Sequence, residues 1–386
     1  MRMEEKNMDW SIRGLLNPVI VRSLIFGVNP IDMEFVLQQM EKKPLVNGKV
    51  LQNTWREEWG RKTRHFAVLA EQAEKKKNWL SAGQYYTLSA QCCYAAYLLN
   101  SEHIDKKREA YKELEHYYLC QLHCSKRRFE TIFIPLKGEK GMPGYLHLPD
   151  ERQFEGPYPC VILFAGYGSC KEELETMAKP LIERGIAALT LDQPGTGSAL
   201  FDNNLKLGGS MLEHGFQKTI QFLETLDFID NSRLGTYGLC MGGGYAYRVA
   251  AEFPKITCCA GLFPLFISML GDKTIPRWMR NGEWPDFQKE NASSQEFIEG
   301  MKIIADGSFH GDYMIVHSSY DNWMPLEKTN QIVDKSTGNI NEVIIDDAPV
   351  YATEESVMHA MPVGEQMHWI KIQVADWFAE KLGVVQ

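Results

Sequence analysis

Hydrophobic residues recur at two different periods along this chain, and the period changes near residue 125. Over residues 49–77, apolar side chains stand three and four positions apart among Glu, Lys, Arg and Gln, which is typical of an amphipathic helix. The same kind of pattern predicts helices over residues 79–99 and 104–122. We therefore predict a helical N-terminal domain over residues 1–125.

From Phe129 onward, short apolar runs bounded by Gly, Pro and Asp replace the helical pattern. Helices are predicted at 171–184, at 211–229, directly after Cys240 and at 365–382. Strands are predicted between and around them, in the segments FETIFIPL, GYLHLP, CVILFAG, GIAALTL, RLGTYGL, ITCCAGLF, GDYMIVHSS and NEVIIDD. Strands that alternate with helices at this spacing predict an α/β domain with a mostly parallel sheet over residues 126–386.

One segment inside the second domain is longer than a crossover between two strands requires. It covers residues 263–310 and contains Pro276, Trp278, Trp284 and Pro285. A lid-like insertion over a site at the carboxyl ends of the strands would explain it. An ordinary surface excursion with one or two helices explains it equally well, and the sequence leaves both interpretations open.

Composition and charge narrow the class of protein. The chain is 44% hydrophobic and 24% charged, with a net charge of −9, which is typical of a globular protein and unfavourable for nucleic acid or anionic membrane partners. No apolar run approaches the about 18–20 residues of a membrane span. Acidic residues near the start argue against a signal peptide, so we expect a cytoplasmic protein.

The nine cysteines show no spacing that is typical of a disulfide framework or a metal site. Cys240 differs from the others by its setting, because it stands in the pattern Gly238-x-Cys240-x-Gly242 between a predicted buried strand and a predicted helix. Such a turn exposes a nucleophile, and its flanking glycines make room for neighbouring backbone. The amino end of the following helix lowers the pKa of a thiol, so Cys240 is the candidate nucleophile. We expect no metal and no cofactor.

An acid and a base follow Cys240 in the chain order that this kind of triad uses. Asp321 lies just after a predicted strand, and His359 lies in a loop ahead of the final helix. His368 is the rival base, but it falls inside the predicted terminal helix. His317, at a strand end, is better explained as a core residue.

Two backbone N–H groups are expected to form an oxyanion hole. One belongs to Met241, the residue after the nucleophile. The other belongs to Tyr167 in the segment LFAGYGSCKEE, where glycines on both sides allow close approach of a substrate. The nearby DQPGTGS segment lacks the lysine of a phosphate-binding loop and is interpreted as a tight turn near the site.

This ordered set of motifs resembles the α/β-hydrolase superfamily and, more narrowly, the fermentation-respiration-switch-like esterases, a group that includes 2,6-dihydroxypseudooxynicotine hydrolase. GYGSCKEE is similar to the group's G-x-x-S-x-K-E-E segment, and DQPGTG to its D-x-P-G-x-G loop. The group's usual serine is Cys240 here; dienelactone hydrolases also carry a cysteine nucleophile. Carbon–carbon bond hydrolases of the group have a glutamate where this chain has Gly168. The resemblance implies an α/β-hydrolase fold with a helical cap, and it is compatible with a homodimer.

The sequence therefore favours an enzyme in which Cys240, His359 and Asp321 hydrolyse a small acyl substrate through a covalent acyl-enzyme. The substrate would be an ester, thioester, lactone or activated ketone. An acyltransferase or cyclase that uses the same intermediate is the alternative, and a non-catalytic binding protein on a hydrolase fold is the third. Four tryptophans are candidate pocket-wall residues: Trp55, Trp59, Trp278 and Trp284.

Overall fold

The computed structural model describes residues 12–42, 48–99, 104–138, 140–266, 309–321, 324–346 and 365–384. The chain divides into two compact units, one formed by the N-terminal helices up to Gln121 and one that begins at Leu122 and holds the sheet.

The N-terminal unit is built from helices, as the hydrophobic period predicts. The helix over Pro30–Glu41 begins with an N-cap, because the Asn29 side chain accepts a hydrogen bond from the Ile31 N–H at 2.8 Å. Pro30 follows in the first turn, where a backbone N–H would have no partner within the helix. The helices are α1 (Ile12–Phe26), α2 (Pro30–Glu41), α3 (Gly48–Lys75), α4 (Trp79–Leu98) and α5 (Ile104–Cys124).

The core of this unit contains two of the four candidate pocket tryptophans. Trp55 and Trp59 are fully buried on α3 and meet edge to face, with ring centroids 5.6 Å apart. The Trp55 indole N–H donates to the Ala95 carbonyl of α4 at 2.7 Å. Because these side chains fill the space between helices, we assign them to the core of the unit rather than to a pocket wall.

Among its described residues, the second unit contains one sheet of eight strands with the order β1-β2-β4-β3-β5-β6-β7-β8. β1, β2 and β4 pair antiparallel, and the strands from β4 to β8 pair parallel. The strands are β1 (Phe129–Lys137), β2 (Lys140–His147), β3 (Tyr158–Phe164), β4 (Ala187–Leu191), β5 (Ile229–Leu239), β6 (Ile256–Leu262), β7 (Asp312–Ser318) and β8 (Ile340–Ile345).

Helices cover both faces of this sheet, which is why its central strands consist of apolar runs rather than alternating residues. On β5, the Thr236 hydroxyl donates to Ala246 of α9, and the ring of Tyr237 packs against Phe378 of α11, 5.6 Å between centroids. The helices of this unit are α6 (Glu175–Ile182), α7 (Gly197–Phe201), α8 (Gly209–Leu223), α9 (Met241–Glu252), α10 (Leu326–Val333) and α11 (Glu365–Lys381), with a 3₁₀ turn at Lys171–Leu174.

The predicted α/β class and mostly parallel sheet are confirmed, while some element ends differ from the prediction. The helix predicted over 211–229 ends at Leu223, because β5 already begins at Ile229. The helix predicted over 171–184 is split, since the residues Lys171–Leu174 form a 3₁₀ turn before α6. Within the predicted insertion at 263–310, residues 267–308 lie outside the described residues.

Candidate active site

Cys240 lies at the turn between β5 and α9, in a backbone conformation that is rare for a residue with a side chain. Its φ is 56° and its ψ is −124°. The backbone holds this conformation from both sides: the Cys240 N–H donates to Leu262 O at 2.9 Å, and the Cys240 carbonyl accepts from Gly243 and Leu265 at 2.9 Å each. Since a positive φ is unfavourable outside glycine, these bonds must stabilise it.

The two glycines that flank Cys240 are required by close backbone approach. A Cβ on Gly238 would collide with the carbonyl of Gly242, the second residue of α9. A Cβ on Gly242 would collide with the carbonyl of Phe164 at the end of β3. The Gly-x-Cys-x-Gly pattern therefore forms the tight strand-to-helix turn that the sequence predicts.

The loop after β3 runs beside the nucleophile candidate. A Cβ built on Gly166 would lie 3.9 Å from Cys240 Sγ and 3.4 Å from Cys240 Cβ, so the loop backbone passes within van der Waals reach of the candidate nucleophile. Tyr167 comes next and is half-buried. Met241 is the first residue of α9. The backbone N–H groups in the first turn of a helix have no hydrogen-bond acceptor within the helix. Both candidate oxyanion donors thus belong to segments that adjoin Cys240.

Asp321 lies after β7, two strands from β5 in the sheet, and its side chain is only 4% exposed. Its carboxylate accepts a hydrogen bond from the Met324 N–H at 2.9 Å. Parallel strands carry their carboxyl ends to one edge, so Cys240 and Asp321 belong to the same edge of the sheet.

His317 lies near the end of β7, where its side chain is buried and contacts the neighbouring strand β8. The sequence predicted a core residue at this position. Its Nε2 lies 2.8 Å from Glu342 Oε1 on β8. Burial lowers the pKa of His317, although the negative charges of Glu342 and Asp321 act in the opposite direction. The imidazole is therefore held close to the acid candidate by its place in the sheet.

The predicted base, His359, and two candidate pocket residues, Trp278 and Trp284, lie outside the described residues. His368 falls within α11, in agreement with its predicted place in the terminal helix.

Sequence reasoning missed the contacts made by two residues that follow β4, Asp192 and Gln193. Both side chains are buried, and both bind the loop that carries Tyr167. Lys171, the partner of Asp192, is also buried, at 1% exposure. The motifs GYGSCKEE and DQPGTG contain these residues, but neither motif by itself reveals that Lys171 and Asp192 are in buried contact, since a Lys-Glu-Glu run is usually a solvated surface.

Among the described residues, no group of three or more His, Cys, Asp or Glu side chains is arranged to hold a metal ion. In the same part of the chain, no helix combines the length and apolar character needed to cross a bilayer.

Comparison with known families agrees with this geometry. The family model of FrsA-like esterases matches residues 46–281, more than half of the chain, and the chain belongs to this family. It is 30% identical over 207 residues to a 2,6-dihydropseudooxynicotine hydrolase of Paenarthrobacter nicotinovorans, covering 53% of this chain and 54% of that protein. It is 28% identical over 205 residues to the esterase FrsA of Enterobacter sp. (strain 638), covering 52% and 46%. The chain spans about half the length of these curated relatives.

Solved structures establish the fold. The crystal structure of 2,6-dihydroxy-pseudo-oxynicotine hydrolase matches with a TM-score of 0.73 at 21% identity, covering 94% of this chain and 95% of that one. Wild-type AbyA5 matches with a TM-score of 0.62 at 15% identity, covering 92% and 91%. The fold is that of the α/β-hydrolases.

Proposed function

We propose that this chain hydrolyses an ester, thioester, lactone or activated ketone through a covalent intermediate on Cys240. The observation that carries the proposal is the elbow itself: Cys240 has a φ of 56° and lies beside Gly166 of the β3 loop. A strained turn of this kind persists only where surrounding structure enforces it, and it is a common property of nucleophiles. The thiol is also half-buried, whereas most cysteines here are buried.

In the proposed reaction, His359 takes the proton of the Cys240 thiol while Asp321 orients the imidazole. The sulfur forms a bond to the carbonyl carbon, and the Met241 and Tyr167 N–H groups stabilise the oxygen that becomes negative. As the carbon–leaving-group bond breaks, the imidazolium returns its proton to the leaving group. Water then attacks the thioester with His359 as base, which releases the acid and restores the thiol.

The relatives support the hydrolytic outcome, since the curated matches are a hydrolase and an esterase by name. The cysteine leaves a second outcome to be tested. A thioester reacts with amines and carbon nucleophiles more readily, relative to water, than an oxygen ester does. Transfer of the acyl group to such a nucleophile would therefore make the enzyme an acyltransferase.

The test is intact-mass spectrometry of the chain after exposure to a panel of acyl esters and acyl thioesters. We expect a mass increase equal to one acyl group, which disappears in Cys240→Ala and forms much more slowly in His359→Ala. The released product should be the free acid. Failure of every panel member to acylate the wild-type chain would contradict the proposal.

Cys120 offers a matched control. It is also half-buried, and its Sγ lies 3.8 Å from His116 Nε2 on the same helix, α5. A histidine neighbour alone should not make it a nucleophile for acyl groups, so Cys120→Ala should be acylated like the wild type. Repeating the panel with added amines distinguishes hydrolysis from transfer: an amide product that outcompetes the free acid would identify an acyltransferase.

A further inference from the structure

Two consecutive residues bind both ends of the loop that carries Tyr167. At its start, the Gln193 amide pairs with the backbone of Ala165: Nε2 donates to the Ala165 carbonyl at 2.8 Å, and the Ala165 N–H donates to Oε1 at 3.4 Å. At its end, the Lys171 N–H donates to Asp192 Oδ1 at 2.8 Å. The loop of residues 165–171 is therefore held at both ends by side chains from the carboxyl end of β4.

The Asp192 carboxylate is itself fully bonded. Its Oδ2 lies 2.9 Å from Lys171 Nζ and accepts from the Ser198 N–H, also at 2.9 Å. A Cβ on Gly197 would collide with this carboxylate, so the start of α7 packs directly against it. The position of Asp192 is thus determined by contacts on several sides.

Lys171 connects Asp192 to a second buried carboxylate. Its ammonium lies 2.9 Å from Glu172 Oε1, and the Tyr145 hydroxyl donates to the same oxygen at 3.0 Å. The ammonium also lies over the Tyr145 ring, 4.9 Å from its centroid. Asp192, Glu172, Lys171 and Gln193 are all 1% exposed or less. Away from water, such bonds are stronger and exchange less readily with solvent.

We propose that Asp192 and Gln193 are positioning residues, which fix the Tyr167 N–H where the oxyanion of the acyl transfer step develops. The inference rests on the proposed function of Cys240. Neither residue touches the reacting atoms in this scheme; each acts through the loop backbone. A donor displaced by a fraction of an ångström loses much of its effect on the transition state, so the bonds at Ala165 and Lys171 should control the rate.

A positioning role and a merely structural role predict different effects on two reactions of Cys240, acylation and alkylation. Acylation passes through a tetrahedral oxyanion, whereas alkylation by iodoacetamide displaces iodide from a methylene carbon and needs only the thiolate. Loosening the loop should therefore slow acylation and leave alkylation nearly unchanged.

The experiment compares Gln193→Met with the matched control Thr190→Val. Thr190 is buried in β4, the strand that precedes Gln193, and its hydroxyl contacts Tyr145 O and His147 at 3.4 Å rather than the loop. For Gln193→Met we expect acylation of Cys240 to slow about tenfold to a hundredfold, chiefly in kcat, with alkylation within about twofold of wild type. Amide hydrogen exchange of residues 165–171 should accelerate. Thr190→Val should match the wild type in all three measurements.

Equal losses of acylation and alkylation in Gln193→Met, or an equal loss of acylation in Thr190→Val, would overturn the positioning role. If the wild-type chain accepts no acyl group at all, the proposed function fails and the positioning role fails with it. If the wild type is acylated but Gln193→Met is acylated at the same rate, or shows unchanged hydrogen exchange of residues 165–171, only the positioning role is overturned.

Discussion

Cys240 combines a backbone conformation that disfavours side chains with a side chain that the proposed reaction requires. Its φ of 56° lies in the region where glycine is the favoured residue. Strain of this kind costs on the order of 1–3 kcal/mol, so the elbow lowers stability at the place where the chemistry is expected.

The strain can be measured by comparing Cys240→Gly with Cys240→Ala. At most positions alanine is the more stabilising of the two residues, but at a positive φ the order should reverse. We expect Cys240→Gly to have a free energy of unfolding about 1 kcal/mol higher than Cys240→Ala in urea denaturation. An alanine variant as stable as the glycine variant would mean that the turn is unstrained.

Lys371 shows what burial does to a charged group in this fold. It lies on α11, is 7% exposed, and its ammonium donates to the Thr176 hydroxyl of α6 at 2.7 Å. Burial lowers the pKa of Lys371 to about 8, although Glu173 acts in the opposite direction. In the unfolded chain the pKa returns to 10.5.

The sign of the pH dependence follows from this lowered value. Below pH 8 both states carry the proton, and the folded state bears the cost of the buried charge. Between pH 8 and 10.5 the unfolded state binds more protons, so the contribution of Lys371 to stability rises with pH. Relative to Lys371→Met, the wild type should gain about 2–3 kcal/mol of unfolding free energy across this interval.

Urea denaturation of both proteins at pH 7.5 and pH 10.5 measures this difference. The buried cysteines and tyrosines also titrate at high pH, but they are common to both proteins and cancel in the comparison. A wild-type stability that falls relative to the variant as the pH rises would contradict the assignment.

The conformation of the elbow between β5 and α9 requires close contact between backbone segments. Gly238 faces the carbonyl of Gly242, and Gly242 faces the carbonyl of Phe164, so neither position has room for a methyl group. Gly208, just before α8, has nothing within 4 Å of the place where a Cβ would be.

These surroundings predict different outcomes for the same substitution. Gly238→Ala and Gly242→Ala should each lower the unfolding free energy by more than about 2 kcal/mol and abolish acylation of Cys240, because backbone must move. Gly208→Ala should change stability by less than about 1 kcal/mol and leave acylation intact. Thermal denaturation together with intact-mass spectrometry checks all three, and a tolerated Gly242→Ala would refute the packing argument.

The hydrophobic pattern was sufficient to predict which elements exist, but not where they all end. The buried strand β3 was predictable because a strand covered on both faces must be apolar throughout. The early end of α8 at Leu223 was not, since the residues up to 229 are compatible with a helix and only their pairing beside β3 makes Ile229 a strand residue. Such pairing depends on residues distant in sequence, which local patterns do not contain.

Across the whole molecule, burial separates the cysteines into classes. Cys240 and Cys120 are half-buried, whereas the other seven are buried. Burial raises the pKa of six of these thiols above the ordinary range: Cys92, Cys93, Cys160, Cys170, Cys258 and Cys259, with Cys160 and Cys259 reaching about 12. A thiol that keeps its proton and is shielded from solvent is inert.

Native iodoacetamide labelling at pH 7.5 should therefore select among the nine cysteines. We expect Cys240 and Cys120 to be alkylated at least about a hundredfold faster than the six buried thiols, as measured by peptide mass spectrometry. In urea all nine should react at similar rates, because unfolding removes the differences in exposure. Native labelling of Cys160 as fast as Cys240 would contradict the fold described for β3.

The sequence by itself determined the class of fold, the two-part organisation, and the turn that presents Cys240. These features follow from local periodicity and from the steric demand for glycine, which act between residues close in the chain. Only the tertiary structure revealed that Asp192 and Gln193 hold the loop of Tyr167, and that Trp55 and Trp59 belong to a helical core. Both facts depend on burial of residues that are far apart in sequence, and burial is decided by the packing of the whole chain.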